Sequence, residues 1–141
     1  MTCLDSEKFI VNTEEGKWRL SASVRIIGSD LLVAIWGGEK PHIGAVAIAQ
    51  PRASLENSYQ TSASASVYCL VGHKEDELSR MVSLKIASVL NLLVVVTVGI
   101  HWDNINEEGI SAVVANCRNL AEKIIEEFLL RPMLCSHNSR K

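Results

Sequence analysis

The chain has 141 residues, 48% of them hydrophobic and 21% charged, with a formal net charge of -2. That is long and apolar enough to bury one core, and too apolar for a disordered chain. Lys and Arg are neither in excess nor clustered, which disfavours binding driven by nucleic-acid phosphates.

Residues 1–16 are mainly polar and read as a loosely held lead-in, with no basic segment and apolar run of the signal-peptide kind. From Trp18 the pattern alternates. Leu20, Ala22, Val24 and Ile26 fall on one face, and Arg19, Ser21, Ser23 and Arg25 on the other, as in a strand with one wet side. Gly28-Ser29-Asp30 supplies a turn and Leu31–Trp36 returns as a second strand, completing a hairpin. Gly37-Gly38 is expected to break that strand, Ile43–Ala49 to form a third, and Pro51–Thr61 to be a loop. Ser62–Val71 alternates again as a fourth strand.

After Gly72 the period changes to three and four. Leu78, Met81, Val82, Ile86, Val89 and Leu90 make one helical stripe, with Glu75, Asp76 and Glu77 at its start and Asp76 spaced to pair with Arg80. Leu92–Val98 is apolar on both faces and marks an interior strand. Gly99–Asn106 reads as a loop, with Asn106 as helix cap. A second helix runs from Glu107 to Leu130 on a stripe that includes Val113, Cys117, Leu120 and Ile124, with Lys123 on its solvated face, and Pro132 stops it.

The order is β-β-β-β-α-β-α: one α/β domain over residues 1–133 with a mixed sheet, its core at about 18–130, and a polar tail at 134–141. Two helices cover one face of such a sheet, so the other face is expected to meet loops or a second copy, which predicts a homodimer. Cys69 and Cys117 lie on apolar stretches and read as small buried hydrophobes. Lys85, Ser88 and Asn91 interrupt the apolar run 81–100, so no membrane span is expected and the protein reads as cytoplasmic.

Three short segments carry candidate chemistry: Gly37–Gly44 with His42, Gly72–Asp76 with His73 and Lys74, and Gly99–Asn104 with His101 and Asp103. Each couples glycine, which lets a ligand approach the main chain, with histidine and charge. In α/β sheets such loops gather ligands at strand ends. Were the strands before His73 and His101 parallel neighbours, the two turns would be adjacent. Zinc held by His42, His73, His101 and Asp103 is possible by ligand type, although no compact metal-binding spacing is present. No G-x-S-x-G elbow, no Cys–His pair and no G-x-G-x-x-G occurs, so the chain reads as a binding protein rather than an enzyme. Lys40, Arg52 and Lys74 are candidate partners for a phosphate. Trp36 or Trp102 could stack on a flat ring. The residues alone indicate a ligand site and leave three readings open: a carrier of a small polar ligand, a protein-assembly or interaction module with structural histidines, and a small metal-dependent enzyme using His42, His73 and His101.

Pro41-His42-Ile43-Gly44-Ala45-Val46-Ala47, Gly72-His73-Lys74-Glu75-Asp76 and Gly99-Ile100-His101-Trp102-Asp103-Asn104, in that order, resemble the prenylated-flavin chaperone (LpdD-like) family, typified by the small D subunit of gallate decarboxylase. The resemblance spans residues 18–130. Trp102 departs from it, standing where an aliphatic residue is expected, and so does Gly109 in the first turn of the last helix. It implies a fold similar to proteasome-assembly chaperones and a cytoplasmic, non-catalytic accessory protein. Such a protein would bind prenylated FMN, or FMN, and hold or deliver it to a UbiD-type decarboxylase. The implied cofactor-binding residues are His42, Gly44, Gly72, His73, Lys74, Asp76, His101, Asp103 and Asn104. In that site the histidines would donate to the flavin ring, Lys74 would meet the phosphate, and Asp103 would fix a neighbouring imidazole.

Overall fold

The computed structural model describes residues 7–70 and 75–131. The chain forms β1 (Lys8–Asn12), β2 (Leu20–Ile27), β3 (Asp30–Gly38), β4 (Ala45–Ala53), β5 (Thr61–Cys69), α1 (Asp76–Leu90), β6 (Val94–His101) and α2 (Glu107–Leu130). One six-stranded sheet runs in the order β1-β2-β3-β6-β4-β5. Only β3 and β6 are parallel, and every other neighbouring pair is antiparallel.

The interior strand read from Leu92–Val98 is β6, between β3 and β4. It keeps Val94, Val96 and Val98 fully buried and Val95 half-buried on the opposite face. Both helices pack on the side of Val96, against the sheet and against each other. Leu20, Val24, Val33, Ile35, Ile86, Leu120 and Ile124 complete that core. The buried stripe of α1 is rotated from the expected one: Ser79 and Ser83 are buried, and Val89 is half-exposed. Each serine hydroxyl donates to a carbonyl three residues back (Asp76 and Arg80), so these small side chains sit against the sheet without an unmet polar group.

Several boundaries differ from the sequence reading. Lys8–Asn12 is not a loose lead-in but an edge strand, paired with Ser21–Arg25 and burying Phe9 and Val11. Lys123 is not simply solvated: its ammonium donates to the Asn12 carbonyl at 2.7 Å and ties α2 to that edge. Gly37-Gly38 does not break β3 but forms its last two residues, in register with Ile100 and His101. Consequently Gly99, Ile100 and His101 belong to β6 rather than to the following loop. β4 starts at Ala45 and continues through Pro51 to Ala53, beyond its last pair with β6 at Ala49, where a residue lacking N–H is tolerated with a neighbour on one side only. Cys117 is buried as expected, but Cys69 is exposed at the end of the edge strand β5.

Among the described residues, no helix packs on the second face of the sheet. In register across it lie Leu32, Val95 and Ile48, then Ala34, Thr97, Val46 and Tyr68. Leu32 and Ile48 are about half-exposed and Tyr68 more so. No helix of the described residues is long and apolar enough to cross a membrane.

Candidate functional site

The parallel pair β3–β6 ends together at Gly38 and His101, and the chain between β3 and β4 crosses this end of the sheet. Glu39 N–H donates to the His101 carbonyl at 2.7 Å, and Gly44 N–H to the Val98 carbonyl at 2.9 Å. The segment 39–44 therefore lies directly over the end of β6. The contact is so close that a Cβ at Gly99 would overlap the His42 carbonyl, and one at Gly38, where φ is +86°, would overlap the His101 carbonyl. Here glycine is needed for the approach of two backbones, in addition to any approach by a ligand.

The side chains of this end form one connected set. His42 Nδ1 is 2.8 Å from the Lys40 carbonyl oxygen, and its Nε2 is 2.9 Å from Glu75 Oε1. The same Glu75 oxygen accepts the Ile100 N–H at 3.3 Å. His101 Nε2 is 2.9 Å from Asp103 Oδ1, and Lys40 Nζ lies 3.5 Å from that oxygen. The Asp103 N–H donates to Glu39 Oε2 at 3.4 Å. The hydrogen bond from His101 and the positive charge of Lys40 hold the Asp103 carboxyl below its ordinary value.

Beneath His101, Trp102 meets Trp18 edge to face at 5.1 Å between ring centroids. A Cβ at Gly109 would strike the Trp18 ring and Ile105. The two positions are thus linked: Gly109 leaves room for Trp18, and Trp18 packs against Trp102. Asn104 adopts a left-handed backbone (φ +56°), which asparagine tolerates, and Asn106 caps α2 by accepting the Gly109 N–H.

Of the residues singled out from sequence, His42, Gly44, His101, Asp103 and Asn104 come together at this end of the sheet, and Asp76 opens α1 beside Glu75. Gly72, His73 and Lys74 lie outside the described residues. The strand preceding them, β5, is not the neighbour of β6, because β4 lies between; both strands nevertheless end on the same side of the sheet. Arg52 is misplaced by the sequence reading: it bonds Ser64 eight residues along β4 from Gly44, about 25 Å away at ordinary strand rise. No Asp76–Arg80 ion pair forms among the described residues. Glu75 was missed as a site residue. Within an acidic triplet at a helix start its carboxylate reads as solvated, yet the residue is buried (7% exposed) and points inward. No group of three or more His, Cys, Asp and Glu among the described residues is placed to hold a metal.

Among the described residues, a single mixed sheet with both helices on one face, and a set of His, Lys and carboxylate side chains at one end, defines the class as a small single-sheet α/β protein. Residues 14–129 match the prenylated flavin chaperone LpdD-like domain, and the chain belongs to that family. It is 27% identical over 121 residues to Protein LpdD of Lactiplantibacillus plantarum (strain ATCC BAA-793 / NCIMB 8826 / WCFS1), covering 86% of this chain and 85% of that protein. Among solved structures, one described as a novel chaperone complex for yeast 20S proteasome assembly is similar, with a TM-score of 0.49 and 15% identity over 84% of this chain and 98% of the other.

Proposed function

We propose that this protein is a non-catalytic carrier of prenylated FMN, or FMN, which it holds for or delivers to a UbiD-type decarboxylase in the cytoplasm. Membership of the prenylated-flavin chaperone family supports the ligand class. The observation that carries the site is the convergence of segment 39–44, the end of β6 and the start of α1 around one set of polar side chains.

The donor set fits a flavin nucleotide. Lys40 is two-thirds exposed and cationic, as a phosphate partner needs. His101 keeps its Nδ1 without a partner among the described residues, next to the Asp103 acceptor, so a ring edge bearing both donors and acceptors can be met. Gly44, Asp76 and Asn104 border this set, and Gly72, His73 and Lys74 precede Glu75 directly in the chain. The bound cofactor supplies the reversible decarboxylation chemistry in the partner enzyme. The chain's own residues bind it and orient it. The uncovered sheet face, apolar at Leu32, Val95 and Ile48, supports pairing of two copies there.

The test is titration of the purified protein with FMN and with prenylated FMN, followed by flavin absorbance. Tight binding that His101→Ala weakens by about tenfold or more supports the reading, since removal of a partner hydrogen-bonded to a charged group costs about 1.5–3 kcal/mol. Stoichiometric zinc without flavin binding would favour the metal-dependent enzyme. A stable protein partner captured without flavin would favour the assembly module.

A further inference from the structure

Glu75 is the buried member of an acidic triplet whose other members, Asp76 and Glu77, are half-buried and exposed. A carboxylate withdrawn from water is costly unless donors replace the lost solvation. Among the described residues, Glu75 faces the Ile100 N–H at the end of β6 and the His42 ring on the crossing segment, both distant in sequence. His42 is held at its other nitrogen by the Lys40 carbonyl. Among the described residues, its ring thus faces a protein acceptor at each nitrogen, the Lys40 carbonyl at one and the Glu75 carboxylate at the other. The glycines fit the same construction. A Cβ at Gly44 would overlap the Glu75 carboxylate, and one at Gly99 would overlap the His42 carbonyl.

We propose that Glu75 is the positioning residue of the site, latching segment 39–44 to the end of β6 through His42, so that His42 serves the latch and Lys40, His101 and Asp103 meet the ligand. The ligand part of this inference rests on the flavin reading above; the latch itself does not. It reassigns His42 from a donor to the flavin ring to a fastener of the segment that carries Lys40. Loss of the latch frees Lys40 and with it the Lys40–Asp103–His101 arrangement.

The experiment compares Glu75→Ala, Glu75→Gln, His42→Ala and the Glu75→Ala/His42→Ala double variant of the full chain by amide hydrogen exchange and by flavin titration. Val96, at the sheet centre, monitors the fold. Glu75→Ala and His42→Ala are each expected to speed exchange at the Glu39 and Gly44 amides by about tenfold or more, as loss of the 2.9 Å His42–Glu75 contact implies. The double variant should exchange no faster than the faster single one, and flavin affinity should fall in parallel. Glu75→Gln, whose amide oxygen still accepts from Ile100, should restore most of the protection. His101→Ala should weaken flavin binding while leaving Glu39 and Gly44 exchange unchanged. Unchanged exchange at Gly44 in Glu75→Ala overturns the latch. Weakened flavin binding in His42→Ala with unchanged exchange overturns the reassignment of His42, because the ring would then touch the ligand. Should Glu75→Ala lose protection at Val96, Glu75→Gln and His42→Ala carry the comparison. Failure of the wild type to bind either flavin defeats the carrier reading alone, and the exchange comparison still decides the latch.

Discussion

Gly99→Ala should destabilise the protein by about 2–4 kcal/mol. The added methyl meets the His42 carbonyl and the Ile43 nitrogen, which are backbone atoms and cannot rotate away. Overpacking of this kind costs roughly 1–3 kcal/mol. Lifting segment 39–44 to relieve it breaks the Gly44 N–H to Val98 carbonyl bond, worth about 1 kcal/mol. Against a total stability of about 5–15 kcal/mol this is a large fraction, and it corresponds to a Tm lower by roughly 6–15 °C. Gly109→Ala provides the contrast. The nearest atoms its methyl meets belong to the Trp18 and Ile105 side chains, and alanine gains up to about 1 kcal/mol over glycine in a helix against an overpacking cost of roughly 1–3 kcal/mol, so the net loss should be smaller, about 0–2 kcal/mol. Urea unfolding of both variants, with exchange at the Gly44 amide, separates the cases. A Gly99→Ala protein within about 0.5 kcal/mol of wild type, with Gly44 still protected, would refute the crossing of segment 39–44 over β6.

Burial pushes the Cys117 thiol up to about 12, so at pH 8 it should resist a soluble thiol reagent in the folded protein while exposed Cys69 is modified; peptide mapping that finds native Cys117 labelled at a rate like Cys69 contradicts the packing of α2. Asp103 should titrate below its ordinary 3.8, so its contribution to stability is complete above that value and is lost as pH falls through the lower folded-state value. Carbon NMR should find the midpoint moving back up in His101→Ala and in high salt, and a wild-type midpoint at or above 3.8 speaks against the His101–Asp103 bond. Ile48→Lys on the uncovered face should convert a dimer to a monomer in sedimentation, and a wild type that already runs as a monomer removes the proposed pairing.

Element type was legible wherever hydrophobic period was strong. The stripe of α2 gave its bounds, and the two-sided apolar run of β6 gave its interior place. β1 was missed because Phe9 and Val11 are only two buried residues inside a polar stretch, and pairing with β2, not local composition, makes them a strand. The glycines at 37, 38 and 99 read as breaks because composition reports backbone freedom and not the close neighbour that removes the side chain. Of the three glycine–histidine segments, those at 37–44 and 99–104 meet because they follow the parallel neighbours β3 and β6, whereas the strands before His73 and His101 are not the parallel neighbours weighed from sequence. The inward turn of Glu75 depends on the position of His42, 33 residues earlier in the chain, and no local pattern carries it. The Gly44 that makes room for the Glu75 carboxylate was the one available signal, and it reads as a turn until the two are seen together.

The most direct test of the carrier account is nitrogen-proton chemical-shift mapping of the protein titrated with prenylated FMN. The account predicts saturable shifts concentrated at residues 39–44, at 99–104 and at the start of α1, with the uncovered sheet face around Leu32 and Ile48 unmoved. Shifts centred on that face, or between α1 and α2, or none at cofactor excess, would contradict it.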